Sequence, residues 1–389
     1  MNLQTKDFIQ KYVNEDVNIL ILKSVLSADV DIPLAIKQIE GMQKIKDKVP
    51  MFYRCAELLY PPKLSLEQCS SEITARYKSS LCRGKKMVDL TGGFGIDTFF
   101  MSENFDETIY VERQQKLCEL AEHNFAVLST KNIKIQHETS EVFLETDFVA
   151  DWIYIDPARR KDGGAKAVLL SDCEPDVTEL QDKLLTKAPN VMIKLSPMFD
   201  LAQLQRELKN IREIHIIAVE NECKEILVLL ERDYHLKVTI NAVHFQKNKN
   251  AKVLTFHKEE EKNTIVNYTE TVLEYLYEPN AAILKSGAFR TSASFFKLHK
   301  LHINSHLYTS NDINEHFQGR IFKVKSVIPF NKEELKRWDC KKANVSVRNF
   351  PLSVNELRKK LKLKDGGNEY IFATTLYNNQ KVLITCTKI

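Results

Sequence analysis

The sequence lacks any apolar run close to the roughly 18 residues that a membrane span needs. Its first residues, M-N-L-Q-T-K-D-F, are charged and have no apolar core of the kind that a signal peptide carries. The eight cysteines include no C-x-x-C pair, which argues against a zinc ribbon and a disulfide framework. Internal repeats and low-complexity segments are also absent. Because free thiols are typical of a reducing compartment, we expect a cytoplasmic protein without membrane contact.

Charge is unevenly divided along the 389 residues, a length that predicts roughly two to four domains. Residues 1–235 carry 30 Lys and Arg against 38 Asp and Glu, a net charge of −8. Residues 236–389 carry 26 against 14, a net charge of +12. A basic half suits a polyanionic partner, although a lysine-rich surface that only contacts water would give the same count.

A strand, a glycine turn and a helix start follow one another in residues 87–100, M-V-D-L-T-G-G-F-G-I-D-T-F-F. Glycines let the backbone approach a ligand, and a helix start favours polar or anionic groups, but a tightly packed turn would use the same residues. Glu112 closes the next apolar run, where an acid can accept hydrogen bonds from a ribose. Thr98 stands where a dinucleotide-binding fingerprint has glycine or alanine, which argues against NAD.

A second apolar strand, at residues 151–155, delivers the motif D-P-A-R-R to the carboxyl edge of the predicted sheet. Ligands of open α/β folds bind at this edge. Asp156 could alternatively cap a turn, and Arg159 and Arg160 could form surface salt bridges. We expect Asp156 to serve the site because a buried strand precedes it.

Strands and helices alternate over residues 83–235, which predicts a mostly parallel sheet with helices on both faces. The last two predicted strands, 213–219 and 225–231, are too close for a crossover helix and should form an antiparallel hairpin. Residues 1–82 show helical spacing, with one helix predicted over 66–81. A further helix is predicted over 264–277.

The last 72 residues, 318–389, carry 16 Lys and Arg against 6 Asp and Glu, a net charge of +10. Their pattern predicts a strand over 344–350, a basic helix over 353–361 with Ser353 and Glu356 as a capping box, and a terminal hairpin. His299, His302 and His306 lie nearby, but no acid or cysteine completes a zinc-binding pattern, so no metal is expected.

Two motifs resemble those of a known family. D-L-T-G-G-F-G-I-D at residues 89–97, with Y-V-E at 110–112, resembles the first two motifs of the class I S-adenosylmethionine (SAM) methyltransferases. D-P-A-R-R resembles the D-P-P-Y or N-P-P-Y motif of amine methyltransferases, with Ala158 and Arg159 replacing the second proline and the aromatic residue. The C-terminal unit resembles a THUMP-like RNA-binding domain, and the whole chain resembles bacterial methyltransferases that carry this domain at the C-terminus.

The resemblance implies an α/β fold with a Rossmann-like seven-stranded methyltransferase sheet. The implied domains are an N-terminal helical region at 1–82, the methyltransferase domain at 83–235, a ferredoxin-like domain at 236–316 and a THUMP-like domain at 317–389. The implied cofactor is SAM, and the implied partner is RNA, such as tRNA or rRNA, bound through the basic C-terminal half. The expected activity is direct methyl transfer to a base of structured RNA.

Site residues follow from the same resemblance. Cofactor binding is implied for Asp89, Thr91, Gly92, Gly93, Gly95, Asp97, Glu112, Arg113, Thr139 and Asp156. Catalytic roles are implied for Asp156, Pro157 and Arg159. Whether Glu138, Thr139 or Ser140 contacts the adenine stays open. Two alternatives to the expected activity remain: a non-catalytic RNA-binding protein that keeps the fold, and a methyltransferase for a protein or a small molecule.

Overall fold

The computed structural model describes residues 1–23, 29–159, 169–246 and 250–389. The chain divides into two compact units. One contains Met1–Ile211 and Val228–His235, and the other contains Arg212–Leu227 and Leu236–Ile389. Within the described residues, no helix is both long enough and apolar enough to cross a membrane.

The first 82 residues are helical for most of their described length. Their helices are α1 (Leu3–Tyr12), α2 (Val17–Lys23), α3 (Ile32–Lys48), α4 (Pro50–Tyr53), α5 (Lys63–Gln68) and α6 (Glu72–Leu81). The prediction of a single helix over 66–81 was wrong. The hydroxyl oxygen of Ser71 accepts a hydrogen bond from the backbone N–H of Thr74 at 3.4 Å, so a new helix begins there. Serine at this capping position satisfies an otherwise unpaired N–H group.

The remainder of the first unit alternates strands and helices as predicted. Its elements are β1 (Gly84–Asp89), α7 (Ile96–Ser102), β2 (Phe105–Glu112), α8 (Gln115–Val127), β3 (Ile133–His137), α9 (Ser140–Glu145), β4 (Trp152–Ile155), β5 (Ala158–Arg159), β6 (Cys173–Glu174), α10 (Val177–Lys187), β7 (Asn190–Leu195) and α11 (Leu201–Glu207). Strands β3, β2, β1, β4 and β7 pair in parallel in this order. Val88 lies at the centre, opposite Ile109 on one side and Ile153 on the other.

A hairpin follows, with strands β8 (Ile211–Val219) and β9 (Glu222–Glu231). Its two turn residues, Glu220 and Asn221, have φ angles of 50° and 65°. Positive φ at both positions is the geometry of a two-residue turn between antiparallel strands. The sheet therefore runs in the order β3-β2-β1-β4-β7-β9-β8, and the Rossmann-like seven-stranded sheet with its terminal hairpin is confirmed.

The second unit adds two strands to this hairpin and contains a separate sheet. Its elements after the hairpin are β10 (Thr239–Phe245), β11 (Lys252–His257), α12 (Lys258–Asn263), β12 (Tyr275–Pro279), α13 (Ala281–Ser286), α14 (Phe289–Phe295), β13 (His299–Lys300), β14 (Tyr308–Ser310), β15 (Gly319–Pro329), α15 (Lys332–Arg337), β16 (Asn344–Arg348), α16 (Val354–Leu361), β17 (Glu369–Thr375) and β18 (Lys381–Lys388). The separate sheet has the order β13-β14-β12-β15-β18-β17-β16.

Two expectations for residues 236–316 differ from this arrangement. Strand β10 pairs in parallel with β8, with Ile240 opposite Ile214, so β10 and β11 extend the methyltransferase sheet and not the second one. The helix predicted over 264–277 was wrong, because helix α12 ends at Asn263 and Tyr275 begins β12. This stretch is rich in Thr, Val and Tyr, which favour extended backbone.

The C-terminal strand–helix–strand–strand pattern is as predicted. In the capping box of α16, the Ser353 hydroxyl accepts from the N–H of Glu356 at 3.3 Å, and Glu356 Oε2 accepts from the N–H of Ser353 at 2.8 Å. Leu357 of α16 is fully buried and packs with Ile371 and Leu383 of the strands. Leu361, one turn further along α16, packs against the same cluster, so these two leucines define the buried face of the helix.

Aromatic side chains pack the N-terminal helices against the glycine turn. The ring of Phe52 on α4 lies 5.9 Å from Phe94 and 5.3 Å from Phe99, both in edge-on contacts. Phe94 belongs to the turn, and Phe99 to α7. Since these rings are buried, the segment between α4 and α6 is held close to the turn.

Candidate cofactor and active site

Glycine is required by the turn between β1 and α7 for two reasons. Gly93 and Gly95 have φ angles of 55° and 83°, which lie in the left-handed region that favours glycine. A Cβ atom on Gly92 would lie 2.2 Å from the Tyr110 ring, and one on Gly95 would lie 2.8 Å from the Phe125 ring. The turn can therefore pack against β2 and α8 only because these positions lack side chains.

Asp89 fixes the same turn from the end of β1. Its side chain is buried, and its oxygens accept hydrogen bonds from the N–H of Thr91 at 2.9 Å and the hydroxyl of Thr98 at 2.5 Å. Burial raises the pKa of Asp89 to about 7, against the opposing effect of these two hydrogen bonds. Thr98, noted in the sequence as a departure from a dinucleotide fingerprint, thus has a structural role beside the turn.

Glu112 reaches the turn from the end of β2. Its Oε2 accepts from the N–H of Gly93 at 2.9 Å, and its Oε1 accepts from the N–H of Gln114 at 2.8 Å. The Tyr110 hydroxyl donates to the carbonyl oxygen of Gly93 at 2.6 Å. These contacts hold the Glu112 carboxylate in one orientation at the carboxyl edge of the sheet.

A buried polar network lies beneath the turn. Asp97 Oδ2 accepts from the hydroxyls of Ser70 at 2.7 Å and Tyr154 at 2.8 Å, and Asp97 Oδ1 lies 3.2 Å from Lys78 Nζ. The Lys78 side chain is 0% exposed. Burial alone would raise the pKa of Asp97, but the ammonium groups of Lys78 and Lys194 and the two hydroxyl donors hold that pKa below its usual value.

Asp156 follows β4 at the same edge. Its backbone N–H donates to the Thr91 hydroxyl at 2.7 Å, and its Oδ2 accepts from Lys194 Nζ. Lys194 lies on β7 and is nearly buried. Sequence reasoning missed this partner, although a lysine inside the apolar run V-M-I-K-L was a usable signal, because a buried charge is normally paired.

The rim contains the remaining predicted residues. Arg113 Nη1 pairs with Glu174 Oε1 at 2.7 Å, and both side chains are exposed. Thr139 caps α9, with its hydroxyl accepting from the N–H of Val142 at 3.3 Å. The Ser140 hydroxyl donates to the carbonyl oxygen of Leu90 at 2.6 Å, which ties this loop to the turn.

These groups surround a cleft with a cavity volume of about 200 Å³. Its lining includes all ten residues for which cofactor binding was predicted: Asp89, Thr91, Gly92, Gly93, Gly95, Asp97, Glu112, Arg113, Thr139 and Asp156. The segment 65–70 also contributes to the lining, although none of its residues was among the predicted site residues: Ser65, Gln68, Cys69 and Ser70.

Among the described side chains of the predicted catalytic residues, that of Pro157 does not line the cleft. Pro157 is buried next to Asp156, and the backbone of Arg159 in β5 pairs with that of Cys173 in β6. Arg160 lies outside the described residues. Roles for the Pro157 ring and the Arg159 side chain therefore remain predictions.

Comparison with known proteins identifies domains in the second unit. Residues 319–388 match the THUMP domain-like family, and residues 275–317 match a family described as a ferredoxin-like domain. The ferredoxin-like match begins at the start of β12, well after the expected boundary at residue 236.

The whole chain matches the crystal structure of a candidate methyltransferase from Porphyromonas gingivalis W83. The TM-score is 0.85, the sequence identity is 34%, and the match covers 99% of this chain and 98% of that chain. This chain belongs to the class I SAM-dependent methyltransferases with a C-terminal THUMP-like domain. Membership in this methyltransferase family accounts for the seven-stranded sheet and for the order of domains along the chain.

Two further solved structures each match less than half of this chain. A candidate methyltransferase from Streptococcus mutans, in complex with SAH, is 14% identical with a TM-score of 0.31, covering 41% of this chain and 96% of that chain. TrmN from Thermus thermophilus is 14% identical with a TM-score of 0.34, covering 43% of this chain and 51% of that chain. No curated protein matches the sequence.

Proposed function

We propose that this protein is a SAM-dependent methyltransferase that modifies a base in structured RNA, such as tRNA or rRNA. The observation that carries the proposal is the convergence of the glycine turn, Glu112 and Asp156 on one cleft at the carboxyl edge of the sheet. Ligands of open α/β sheets bind at this edge. The THUMP-like match and the net charge of +10 over residues 318–389 support RNA as the partner.

The donors and acceptors of the cleft suit SAM. When bound, SAM supplies an electrophilic methyl group on its sulfonium sulfur. Glu112 would accept hydrogen bonds from the ribose hydroxyls, because each of its oxygens keeps a lone pair beside the N–H group it already holds. Gly92, Gly93 and Gly95 would allow close approach of the backbone to the nucleoside.

The other predicted cofactor residues would act around Glu112 and the glycine turn. Asp89 and Thr91 would shape the turn, while Asp97 would place negative charge near the cationic end of the cofactor. Arg113 and Thr139 would border the nucleoside from the rim, with Glu138 and Ser140 as the open alternatives for contact with adenine. These assignments rest on cleft lining and chemistry together.

Asp156 would orient the acceptor nucleotide. Its carboxylate would accept a hydrogen bond from the nitrogen or oxygen that receives the methyl group, aligning that atom for in-line attack. Lys194 would hold the Asp156 side chain in a fixed rotamer through their ion pair. The contribution of the protein would then be mainly positioning and exclusion of water.

The decisive experiment is transfer of tritiated methyl groups from SAM to bulk RNA isolated from a strain that lacks this protein. Nucleoside mass spectrometry would identify the product. The Asp156→Asn variant serves as the matched control, since it keeps the side-chain shape. The proposal is supported if the wild-type chain labels RNA and the Asp156→Asn variant does not. Binding of SAM without transfer to RNA would favour one of the two alternatives, and labelled protein or small molecules would identify which.

A further inference from the structure

Two arginines of the second unit share one buried carboxylate. Glu278 lies on β12, and its side chain is only 3% exposed. Its Oε2 accepts hydrogen bonds from Nε of Arg320 at 2.6 Å and from Nη2 of the same residue. Its Oε1 accepts from Nη2 of Arg348 at 2.7 Å. Both oxygens of Glu278 are therefore committed to guanidinium groups.

The contact with Arg348 depends on the curvature of the sheet. Arg348 ends β16, and β15, β18 and β17 lie between β16 and β12. In a flat sheet, four strand spacings would separate the two strands by about 19 Å, beyond the reach of an arginine side chain. The sheet must curl to bring them together. The side-chain amide of Asn349 donates to His302 Nδ1 at 3.0 Å, which ties the same two regions.

The three charges do not cancel. Two guanidinium groups face one carboxylate, so one positive charge is left over. Their side chains are 31% and 36% exposed, so the excess charge is only partly hydrated. A partly buried charge without a counter-ion is unfavourable, and an anion would relieve this.

Both guanidinium groups keep donors that an anion could use. Within the described chain, neither Nη1 of Arg320 nor Nε of Arg348 donates a hydrogen bond. Lys300 adds one further positive charge beside His306. His306 stacks on Phe289 nearby, and its pKa is lowered to about 4, first by burial and then by the charges of Lys300 and Arg348.

We propose that Arg320 and Arg348, held in place by Glu278, form a clamp for a single phosphodiester group of the RNA backbone. Guanidinium groups bind phosphate oxygens through paired, charge-assisted hydrogen bonds. One excess positive charge matches the single negative charge of a phosphodiester. The clamp rests on the proposed function, because RNA supplies the phosphodiester. A purely structural role for the triad, joining the ferredoxin-like and THUMP-like domains, is the competing explanation.

The test measures the affinity of the full-length chain for bulk tRNA by filter binding across a salt series. Arg348→Gln and Arg320→Gln remove one clamp donor each. Arg337→Gln, on the exposed face of α15, removes the same charge from the same basic segment. Each clamp variant should lower affinity roughly tenfold and reduce the salt slope by about 1. Arg337→Gln should have a clearly smaller effect. Equal effects of all three variants would overturn the clamp and leave only diffuse charge.

A double variant distinguishes loss of folding from loss of the clamp. Arg348→Gln leaves Arg320 and Glu278 as a balanced ion pair, whereas Glu278→Gln combined with Arg348→Gln keeps the wild-type excess of one positive charge. Native-like thermal unfolding of this double variant, with RNA affinity still reduced, supports the clamp. Normal RNA affinity and salt slope in the double variant, or in either single clamp variant, would mean that the triad is structural.

Two further outcomes are distinguishable. If inorganic phosphate stabilises the wild type but not Arg348→Gln, while RNA binding is the same in both, the site takes a free anion and the RNA clamp is wrong. If the wild-type chain binds no RNA at any salt concentration, the proposed function fails together with the clamp. If the wild type binds RNA and the clamp variants bind it with the same affinity, only the clamp proposal is wrong.

Discussion

The cleft of the first unit and the THUMP-like tail of the second unit place their charged groups in contrasting environments. In the cleft, Asp89, Asp97 and Glu112 are each at most 9% exposed and have fixed hydrogen-bond partners. The lysines of the tail are exposed for the most part: Lys341, Lys342, Lys359, Lys360, Lys362 and Lys364. Charged side chains thus serve different purposes in the two places.

The cleft charges act through the positions of their hydrogen-bond partners, whereas the tail charges act through their summed electrostatic potential. A buried charge loses its hydration and is tolerated only with well-placed partners, so each one fixes the backbone around it. An exposed charge contributes little to folding, is screened by salt and acts through the summed potential. The cleft should therefore respond to single substitutions through stability and ligand affinity, and the tail through the salt dependence of RNA binding.

The largest expected effect is on the stability of the first unit. Lys78→Met should leave Asp97 buried without the ammonium group that lies 3.2 Å from its Oδ1, and should lower the free energy of unfolding by about 3–5 kcal/mol. Chemical denaturation followed by fluorescence of Trp152, in a Trp338→Phe background, reports on this unit, because the chain has two tryptophans. Lys116→Met, at an exposed position on α8, is the control and should change stability by less than about 0.5 kcal/mol. Equal effects of the two substitutions would remove the distinction between buried and exposed charges.

The second effect is on catalysis. Asp156→Ala should lower the rate of methyl transfer by roughly 100-fold or more, because the acceptor nucleotide loses its orientation. The affinity for SAM should be retained, as calorimetry can show. Asp147→Ala, an exposed acid in the loop before β4, is the matched control and should leave both quantities unchanged. Parallel loss of SAM binding and transfer in Asp156→Ala would assign Asp156 to the cofactor site or to the fold.

The third effect is on cofactor affinity. Glu112→Ala should weaken SAM binding by roughly 1.5–3 kcal/mol, the usual value of a hydrogen bond to a charged group. Glu112→Gln keeps one amide oxygen and should lose less. Calorimetry with SAM and NAD decides the result, and no NAD binding is expected. Tight NAD binding without any response to SAM would contradict the cofactor assignment.

The sequence predicted those parts of the cleft in which the contacting residues are close together in the sequence. Asp89 and Thr98 are nine residues apart and belong to one strand–turn–helix, so the local pattern already indicates their proximity. The parallel strands carry Glu112 and Asp156 to the same edge, which follows from the alternation of strands and helices. These features depend on local pattern and on a general rule of topology.

Other features were beyond the local pattern. Lys194 meets Asp156 across 38 residues, and Arg348 meets Glu278 across 70 residues. Neither periodicity nor spacing encodes which side chains of distant strands face each other, and sheet curvature decides the second contact. The burial of Lys78 depends on the helices and strands packed around α6, which the local pattern does not encode.

The fourth prediction concerns the pH dependence of stability in the first unit. Since Asp89 has a raised pKa of about 7 in the folded state, the folded state binds a proton that the unfolded state releases near pH 4. The contribution of this proton to the free energy of unfolding is fully present below pH 4 and is lost as the pH rises through 7. Asp89→Asn should remove this loss, changing the stability difference between pH 5 and pH 8 by about 2–3 kcal/mol. Trp152 fluorescence during denaturation at both pH values measures it. An identical pH profile in wild type and Asp89→Asn would mean that Asp89 is ionised when buried.

The smallest expected effect tests the tail. Ser353→Ala removes the hydroxyl of the α16 capping box and should destabilise this helix by about 1 kcal/mol. Hydrogen exchange of the α16 amides should accelerate roughly fivefold, while amides of α8 in the first unit should keep their rates. Lys359 and Lys360 of α16 remain exposed on either variant, so RNA affinity and its salt slope should stay within error of the wild type. A large loss of RNA affinity in Ser353→Ala would show that the tail relies on fixed geometry, as the cleft does, and would end the contrast between the two regions.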